Sequence, residues 1–240
     1  MSAPLAVILA GGLGTRIRHL LPDSPKPLAK IAGRPFLEWI IRYLWRQGFR
    51  RMILSTGYQA SKVEAFASTL SIADLEISCV EETSPLGTAG GFLNAIHGVK
   101  TSANVLVCNG DSLVLTALSP LIRALDATNI EGALLAVEVS DAKHFGSVAV
   151  DNNGLLCGFS EKRAGTGMIN GGVYLFRWTC VDRFPSQRPL SFEYEVFPAL
   201  LEASVHIKVV PCNAPFLDIG NDASLAQATD FIRLNRGWFE

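Results

Sequence analysis

Three glycines in four residues, Gly11, Gly12 and Gly14, are followed at once by Thr15 and Arg16, directly after the apolar run LAVILA. Glycines at such a point let backbone N–H groups close on phosphate oxygens with no Cβ in the way, and an arginine adds a planar fork of donors. Further on, Pro25 and Pro27 flank Lys26 and restrict the backbone on either side, which would hold that lysine out as a fixed point charge. The connection from Gly11 to Arg34 carries Arg16, Arg18, Lys26, Lys30 and Arg34 against one acid, Asp23. It is far longer than the few residues a strand-to-helix turn needs, and it is locally cationic. An anionic ligand is implied. For Arg18, Lys30 and Arg34 a scattered basic surface explains the residue types well enough; for Arg16 and Lys26 function is the better account.

Two familiar phosphate motifs fail here. A dinucleotide fingerprint starting at Gly12 would need glycine or alanine where Ile17 stands, and an acid at the end of the second strand, which instead reads Ser55-Thr56. A P-loop needs Gly-Lys-Ser or Gly-Lys-Thr, and no glycine in the segment is followed by lysine.

The elements that must position these residues alternate. Strand signals at Leu5 to Ala10, Arg51 to Thr56, Glu76 to Glu81 and a run ending at Asp111 interleave with helix signals from Pro35 to Gln47, Ala60 to Thr69 and Gly87 to Ile96. Runs such as VILA and VLVC are apolar throughout, as expected when helices cover both faces of a parallel sheet. The second half is less regular. It has β signals at Gly132 to Val139, Ser147 to Val150, Leu155 to Phe159 and Gly172 to Phe176. A helix from Phe192 to Ala203, a strand from His206 to Val210 and a closing helix from Asn221 to Asn235 follow. One α/β domain with a β-rich insertion is the simplest reading.

Composition narrows the function classes. With 49% hydrophobic and 18% charged residues in 240, the chain can bury a full core and is not disordered. A formal net charge of −1 argues against a general nucleic-acid binder. The five cysteines, Cys79, Cys108, Cys157, Cys180 and Cys212, form no CxxC pair and read as small buried hydrophobes in a reducing compartment. His19, His97, His144 and His206 have no metal-ligand spacing. No apolar run approaches membrane-spanning length, and no basic segment precedes an apolar one at the start; a cytoplasmic protein is expected.

LAGGLGTR is followed by PDSPKPL, PLGTAGG at Pro85 to Gly91, NGD at Asn109 to Asp111, FGSV at Phe145 to Val148 and SEK at Ser160 to Lys162. INGGVYLF at Ile169 to Phe176 and DIG at Asp218 to Gly220 complete the series. In this order the pieces resemble the signature of sugar-phosphate nucleotidyltransferases, which join a sugar 1-phosphate to a nucleoside triphosphate and release pyrophosphate. The resemblance spans most of the chain. It implies a Rossmann-like three-layer α/β fold of glycosyltransferase A type, with a mixed, mainly parallel central sheet and a small β-rich sugar-side lobe. It also implies a single domain over 1–240, with a nucleotide half over about 1–112, a sugar-phosphate half over about 113–240, and no left-handed β-helix domain.

By the same resemblance Arg16 would hold the triphosphate and Lys26 the reacting phosphate, the two catalytic residues. Leu9, Gly11, Gly12, Gly14, Thr15, Glu82, Gly87, Thr88, Asn109 and Gly110 would line the nucleotide, and Asp111 and Asp218 would hold Mg²⁺. The chemistry makes sense of those roles. Attack of one phosphate on another needs positioning and charge dispersal, not a side-chain base, and Mg²⁺ needs only one or two carboxylates beside phosphate oxygens. In the second half Lys162 would partner the sugar's phosphate, and Glu161, Asn170 and Glu193 its hydroxyls, while Gly146 and Gly171 would let the backbone approach. Alone, Glu161 and Lys162 read as an exposed charged turn, and Glu193 as an acid favoured in a first helical turn.

The run from Leu9 to Gly48 looks most like the bacterial heptose 1-phosphate guanylyltransferases, which make GDP-heptose for surface polysaccharides. That implies GTP and a heptose 1-phosphate as substrates, and allows a homodimer. Glu81 and Glu82 precede the LGTAGG turn where the base would lie, and a carboxylate suits guanine, whose N1–H and amino group both donate. Glu82 is favoured slightly. A uridylyl- or thymidylyltransferase for another sugar phosphate is the runner-up. A non-catalytic nucleotide-sugar sensor should have lost Arg16, Lys26 or a metal aspartate, and this chain has all of them.

Overall fold

The computed structural model describes residues 4–99, 104–142, 146–160 and 165–240. Strands β1 (Leu5–Leu9), β2 (Lys30–Ile31) and β3 (Arg34–Pro35) precede helix α1 (Phe36–Arg46). β4 (Arg51–Thr56), α2 (Ala60–Thr69), β5 (Glu76–Glu81), α3 (Thr88–Ala95) and β6 (Val105–Asn109) then alternate as the hydrophobic pattern predicts. The second half runs β7 (Ser112–Val114), α4 (Ser119–Arg123), β8 (Gly132–Val139), β9 (Ser147–Val150), β10 (Leu156–Ser160) and β11 (Gly167–Phe176). It ends with α5 (Trp178–Val181), α6 (Phe197–Glu202), β12 (Ile207–Cys212), β13 (Phe216–Asp218) and α7 (Asp222–Leu234).

β5, β4, β1 and β6 lie side by side and parallel, with Val7 opposite both Ile53 and Val107. β11 joins β6 antiparallel, β8 pairs antiparallel with β11, and β12 runs parallel to β8. Both halves of the chain thus contribute to one mixed, mainly parallel sheet. The β-rich extension is the β9–β10 hairpin, attached to the first part of β11 where Ile169 faces Ser147.

Along β1 the side chains alternate between two cores, as the period of two requires. Ala6 and Ile8 pack with Phe36, Trp39, Ile40 and Val63 of α1 and α2 and with Ile232 of α7. Leu5 and Val7 pack on the other face with Phe92 of α3 and with Phe192 and Phe197 at the start of α6. Helices therefore cover both faces, which is why VILA could be apolar throughout. No helix among the described residues is long and apolar enough to cross a membrane.

Two features depart from the sequence reading. The predicted helix from Phe192 begins as a single π turn, Phe192–Val196, capped by Ser191, and becomes α-helical only at Phe197. β11 is longer than expected and shifts register between Asn170 and Tyr174, with Gly172 at φ 70°. Its second part follows β6, its first part follows β9, and bulges of this kind re-aim side chains near functional sites.

The long cationic connection is ordered by 3-10 turns at Thr15–Leu20 and Lys26–Leu28 and by the β2–β3 hairpin. Its far end is pinned. Arg34 and Arg42 both donate to the buried Glu38, Trp39 Nε1 donates to the Ile31 carbonyl at 2.8 Å, and Ala32 N donates to Thr229 Oγ1 at 3.3 Å.

Candidate active site

The carboxyl ends of β1, β4 and β6 open on a cavity of about 430 Å³, at the position where parallel sheets bind ligands. Leu9, Gly11, Gly12, Lys26, Glu82, Gly87, Thr88, Asn109, Gly110 and Asp111 all line it, with Gly11 and Glu82 packed side by side. The glycines are there because the backbone is crowded. A Cβ on Gly110 would lie 2.5 Å from the Leu9 carbonyl, and one on Gly87, at φ 79°, 2.5 Å from the Leu190 carbonyl. Gly14, at φ 57°, opens the 3-10 turn that carries the exposed Thr15 and Arg16.

The charged groups converge. Lys26 is not held outward as its flanking prolines implied: it is 9% exposed and its Nζ meets Asp111 Oδ2 at 2.6 Å. The rings of Pro25 and Pro27 shape the turn, and the lysine is drawn inward by that carboxylate. Burial raises the Asp218 carboxyl above its ordinary 3.8; the charge of Asp111 raises it further, and Lys26, the Gly220 amide and Arg16 oppose the shift. Gly220 leaves room for Arg16, since a Cβ there would lie 3.0 Å from Nη2. Four residues distant in sequence, Arg16, Lys26, Asp111 and Asp218, thus share one electrostatic field. Among the described residues no group of three or more His, Cys, Asp or Glu is arranged to hold a metal by itself. A pair of carboxylates in which the charge of Asp111 makes Asp218 costlier to ionise suits Mg²⁺, which takes its remaining ligands from phosphates and water.

On the other side of β6, Asn170 Nδ2 donates to Glu193 Oε1 at 2.6 Å and to Tyr174 Oη at 2.7 Å, and Gly172 N donates to Asn170 Oδ1 at 3.0 Å. Burial, and next the Glu193 carboxylate, push the Tyr174 hydroxyl up, so it stays protonated and hydrogen-bonded. Ser191 fixes Glu193 by accepting from its amide at 3.2 Å. Gly146 is open to approach, with nothing near the position of a Cβ. Gly171 differs from its expectation: it is buried, and a Cβ would meet the Leu135 carbonyl at 3.0 Å and Val114 at 3.1 Å, so its smallness serves sheet packing. Glu161 and Lys162, together with Phe145 and His144, lie outside the described residues.

The two acids before the LGTAGG turn separate. Glu81 is exposed, and its carbonyl accepts from Asn94 Nδ2. Glu82 lines the cavity, where Oε1 accepts from Ser55 Oγ and Oε2 from Leu86 N, each at 3.2 Å. Sequence reading passed over Ser55, Tyr58 and Leu13. The last two line the cavity, and Arg18 lies over the Tyr58 ring with its Cζ 4.5 Å from the centroid. The signal for Tyr58 was its place just beyond the carboxyl end of β4. His19 is exposed and meets Asp222 Oδ2 at 3.1 Å. The cysteines are all free, but only Cys108 and Cys180 are buried; Cys79 and Cys212 are half-buried and Cys157 is exposed.

A family model described as nucleotidyl transferase matches residues 5–234. The chain is 38% identical over 198 residues to the mannose-1-phosphate guanylyltransferase of Mycobacterium tuberculosis, covering 82% of this chain and 55% of that one. It is 35% identical over 218 residues to the D-glycero-alpha-D-manno-heptose 1-phosphate guanylyltransferase of Campylobacter jejuni, covering 90% and 94%. The crystal structure of HddC from Yersinia pseudotuberculosis, complexed with GMP-PN, matches at a TM-score of 0.83 and 31% identity over 95% of this chain and 98% of that one. The chain therefore spans about half the length of the mycobacterial relative and nearly all of the other two. With its glycine-walled cavity at the strand ends and a family match that runs almost from end to end, this chain belongs to the nucleotidyl transferase family.

Proposed function

We propose that the protein transfers a guanylyl group from GTP to a heptose 1-phosphate, giving GDP-heptose and pyrophosphate in the cytoplasm for surface polysaccharide synthesis. The observation that carries this reading is the match along nearly the whole length of a heptose 1-phosphate guanylyltransferase, in a chain whose cavity is lined by Lys26 and Asp111, with Asp218 and Arg16 in the same electrostatic field.

A non-bridging oxygen of the sugar phosphate attacks the α-phosphorus, a new P–O bond forms, and the bond from the α-phosphorus to the oxygen of the β-phosphate breaks. Two anions must meet, so the protein's work is orientation and charge dispersal. Backbone amides from Gly11 to Gly14 and the Arg16 guanidinium hold the triphosphate. Lys26, already inside the cavity, passes from Asp111 to the reacting phosphate. Mg²⁺ held by Asp111 and Asp218 would neutralise charge on the phosphate oxygens. Glu82 reads the base: each of its oxygens keeps a lone pair beyond the bond it already accepts, which suits the paired N–H donors of guanine. Asn170 and Glu193 hold sugar hydroxyls, and Lys162 the sugar's phosphate.

The likeness to the mycobacterial enzyme supports a second reading, in which the acceptor is mannose 1-phosphate. Pyrophosphate release measured across nucleoside triphosphates and sugar 1-phosphates with Mg²⁺ decides between them. GTP with heptose 1-phosphate is expected to give the highest kcat/KM. Higher turnover with mannose 1-phosphate selects the second reading, and no turnover with any pair overturns both.

A further inference from the structure

Ser55 is completely buried near the end of β4, and its position is set by the sheet: its carbonyl accepts from Ala10 N at 2.7 Å and its Cα sits between Leu9 and Val80. Its hydroxyl donates to Glu82 Oε1. Glu82 is otherwise tied by its own amide, which donates to the Thr56 carbonyl at 2.8 Å, and by the Leu86 amide on Oε2. Two glycines complete the box, because a Cβ would lie 2.7 Å from Oε1 at Gly11 and 2.5 Å from it at Gly91. A buried strand serine, two glycines from different elements and a turn amide converge on one carboxylate.

The count of lone pairs gives that convergence a purpose. A carboxylate has about four acceptor sites, and the protein's side-chain and turn donors take one on each oxygen. One site per oxygen remains, side by side, on a residue that lines the cavity. Neighbouring N–H donors on one edge, N1–H and the exocyclic amine, are offered by guanine and not by adenine, cytosine or uracil. Both bonds form only if the carboxylate plane is fixed. With the Ser55 hydroxyl gone, the Leu86 bond alone lets the group rotate about its last torsion.

We infer that Ser55 is a positioning residue for base selection, acting through Glu82. This rests on the reading of Glu82 given above. The sensitive probe is inosine triphosphate, which keeps N1–H and lacks the exocyclic amine. The wild-type enzyme is expected to prefer GTP over ITP by roughly 10- to 100-fold in kcat/KM, the range of a bidentate base contact. Ser55→Ala should narrow that ratio by about tenfold while leaving the KM for the sugar 1-phosphate unchanged, a split that a general loosening of the fold would not give. Ser55→Cys keeps the volume but donates weakly, and gives the same readout if the alanine variant does not fold.

Glu82→Gln separates the two ideas. If it leaves the GTP to ITP ratio at the wild-type value, the base reading itself is wrong. If it narrows the ratio while folded Ser55→Ala and Ser55→Cys keep it, Glu82 reads the base without Ser55, and the inference is overturned.

Discussion

The two walls of the site are made of different material. On the side proposed for the nucleotide, the glycine turns are fixed main chain to main chain: Tyr58 N donates to the Gly11 carbonyl at 3.2 Å, Gly110 N to the Leu9 carbonyl at 2.9 Å, and Ala89 N to the Leu190 carbonyl at 2.9 Å. On the side proposed for the sugar, side chains take part in each contact, Asn170 reaching Glu193, Tyr174 and the Gly172 amide, on the antiparallel strand beside β6 and on a π turn. Phosphates are common to every nucleoside triphosphate, so a wall fixed by backbone geometry can serve them without reference to the base. Sugars differ in the placing of hydroxyls, and a wall of exchangeable side chains can be retuned without refolding the sheet.

The largest effects should come from the charges that stand between the walls. Lys26→Ala and Asp111→Asn are each expected to lower kcat by about 10³-fold with smaller changes in either KM, because what is lost is stabilisation of charge in transfer. The double variant should cost little more than the worse single one, since the two groups act as a unit. Steady-state rates with circular dichroism to check the fold decide this; a raised KM at normal kcat would assign both groups to ground-state binding.

The walls themselves should fail differently. Gly87→Ala puts a side chain at φ 79° and against the Leu190 carbonyl, so the melting temperature should fall by roughly 4–8 °C and turnover should suffer with both substrates. Asn170→Ala removes hydrogen bonds to Glu193, Tyr174 and the Gly172 amide but introduces no clash and no strained φ. It should raise the KM for the sugar 1-phosphate by about 10- to 50-fold and leave that for GTP unchanged. Equal shifts in both values for Asn170→Ala would break the contrast between the walls.

The same contrast explains what the sequence made legible. A wall built from backbone leaves glycines in the chain: Gly11 and Gly14 could be read from their cluster, while Gly87 and Gly110 came with the family resemblance and prove to sit at a positive φ and a close approach. The strand–helix rhythm of the first half was equally readable, since continuous apolar runs follow from burial on both faces. A wall built from side chains leaves no such trace. Asn170 and Glu193 meet only because β11 slips its register at Gly172 and a π turn replaces the first turn of a helix, both tertiary outcomes. Ser55 read as a strand end without an acid, and its hydroxyl acquires meaning only when Glu82 arrives from β5's far end. Lys26 looked outward for the same reason: the proline pattern is local and the pull of Asp111 is not.

Asp218 offers the finest probe of where the walls meet. Its carboxyl is raised by burial first and by Asp111 second, so the folded protein holds the protonated form better than the unfolded chain does. The sign follows: the ionised group costs stability above the raised value, and that cost disappears as the pH falls below the ordinary value of 3.8. Asp218→Asn keeps an oxygen to accept from the Gly220 amide and removes the charge. Without divalent cation at neutral pH the variant should melt about 2–4 °C above wild type, and the two should converge in acid. If Asp111 and Asp218 hold Mg²⁺ as proposed, adding Mg²⁺ with a non-hydrolysable GTP analogue should raise the wild-type melting temperature and reverse the order, because only the wild type offers both carboxylates. Thermal melts at neutral and acid pH test this. A variant that is less stable than wild type at neutral pH without cation would show that Asp218 is held by Lys26 and Arg16 more than it is strained by Asp111 and burial.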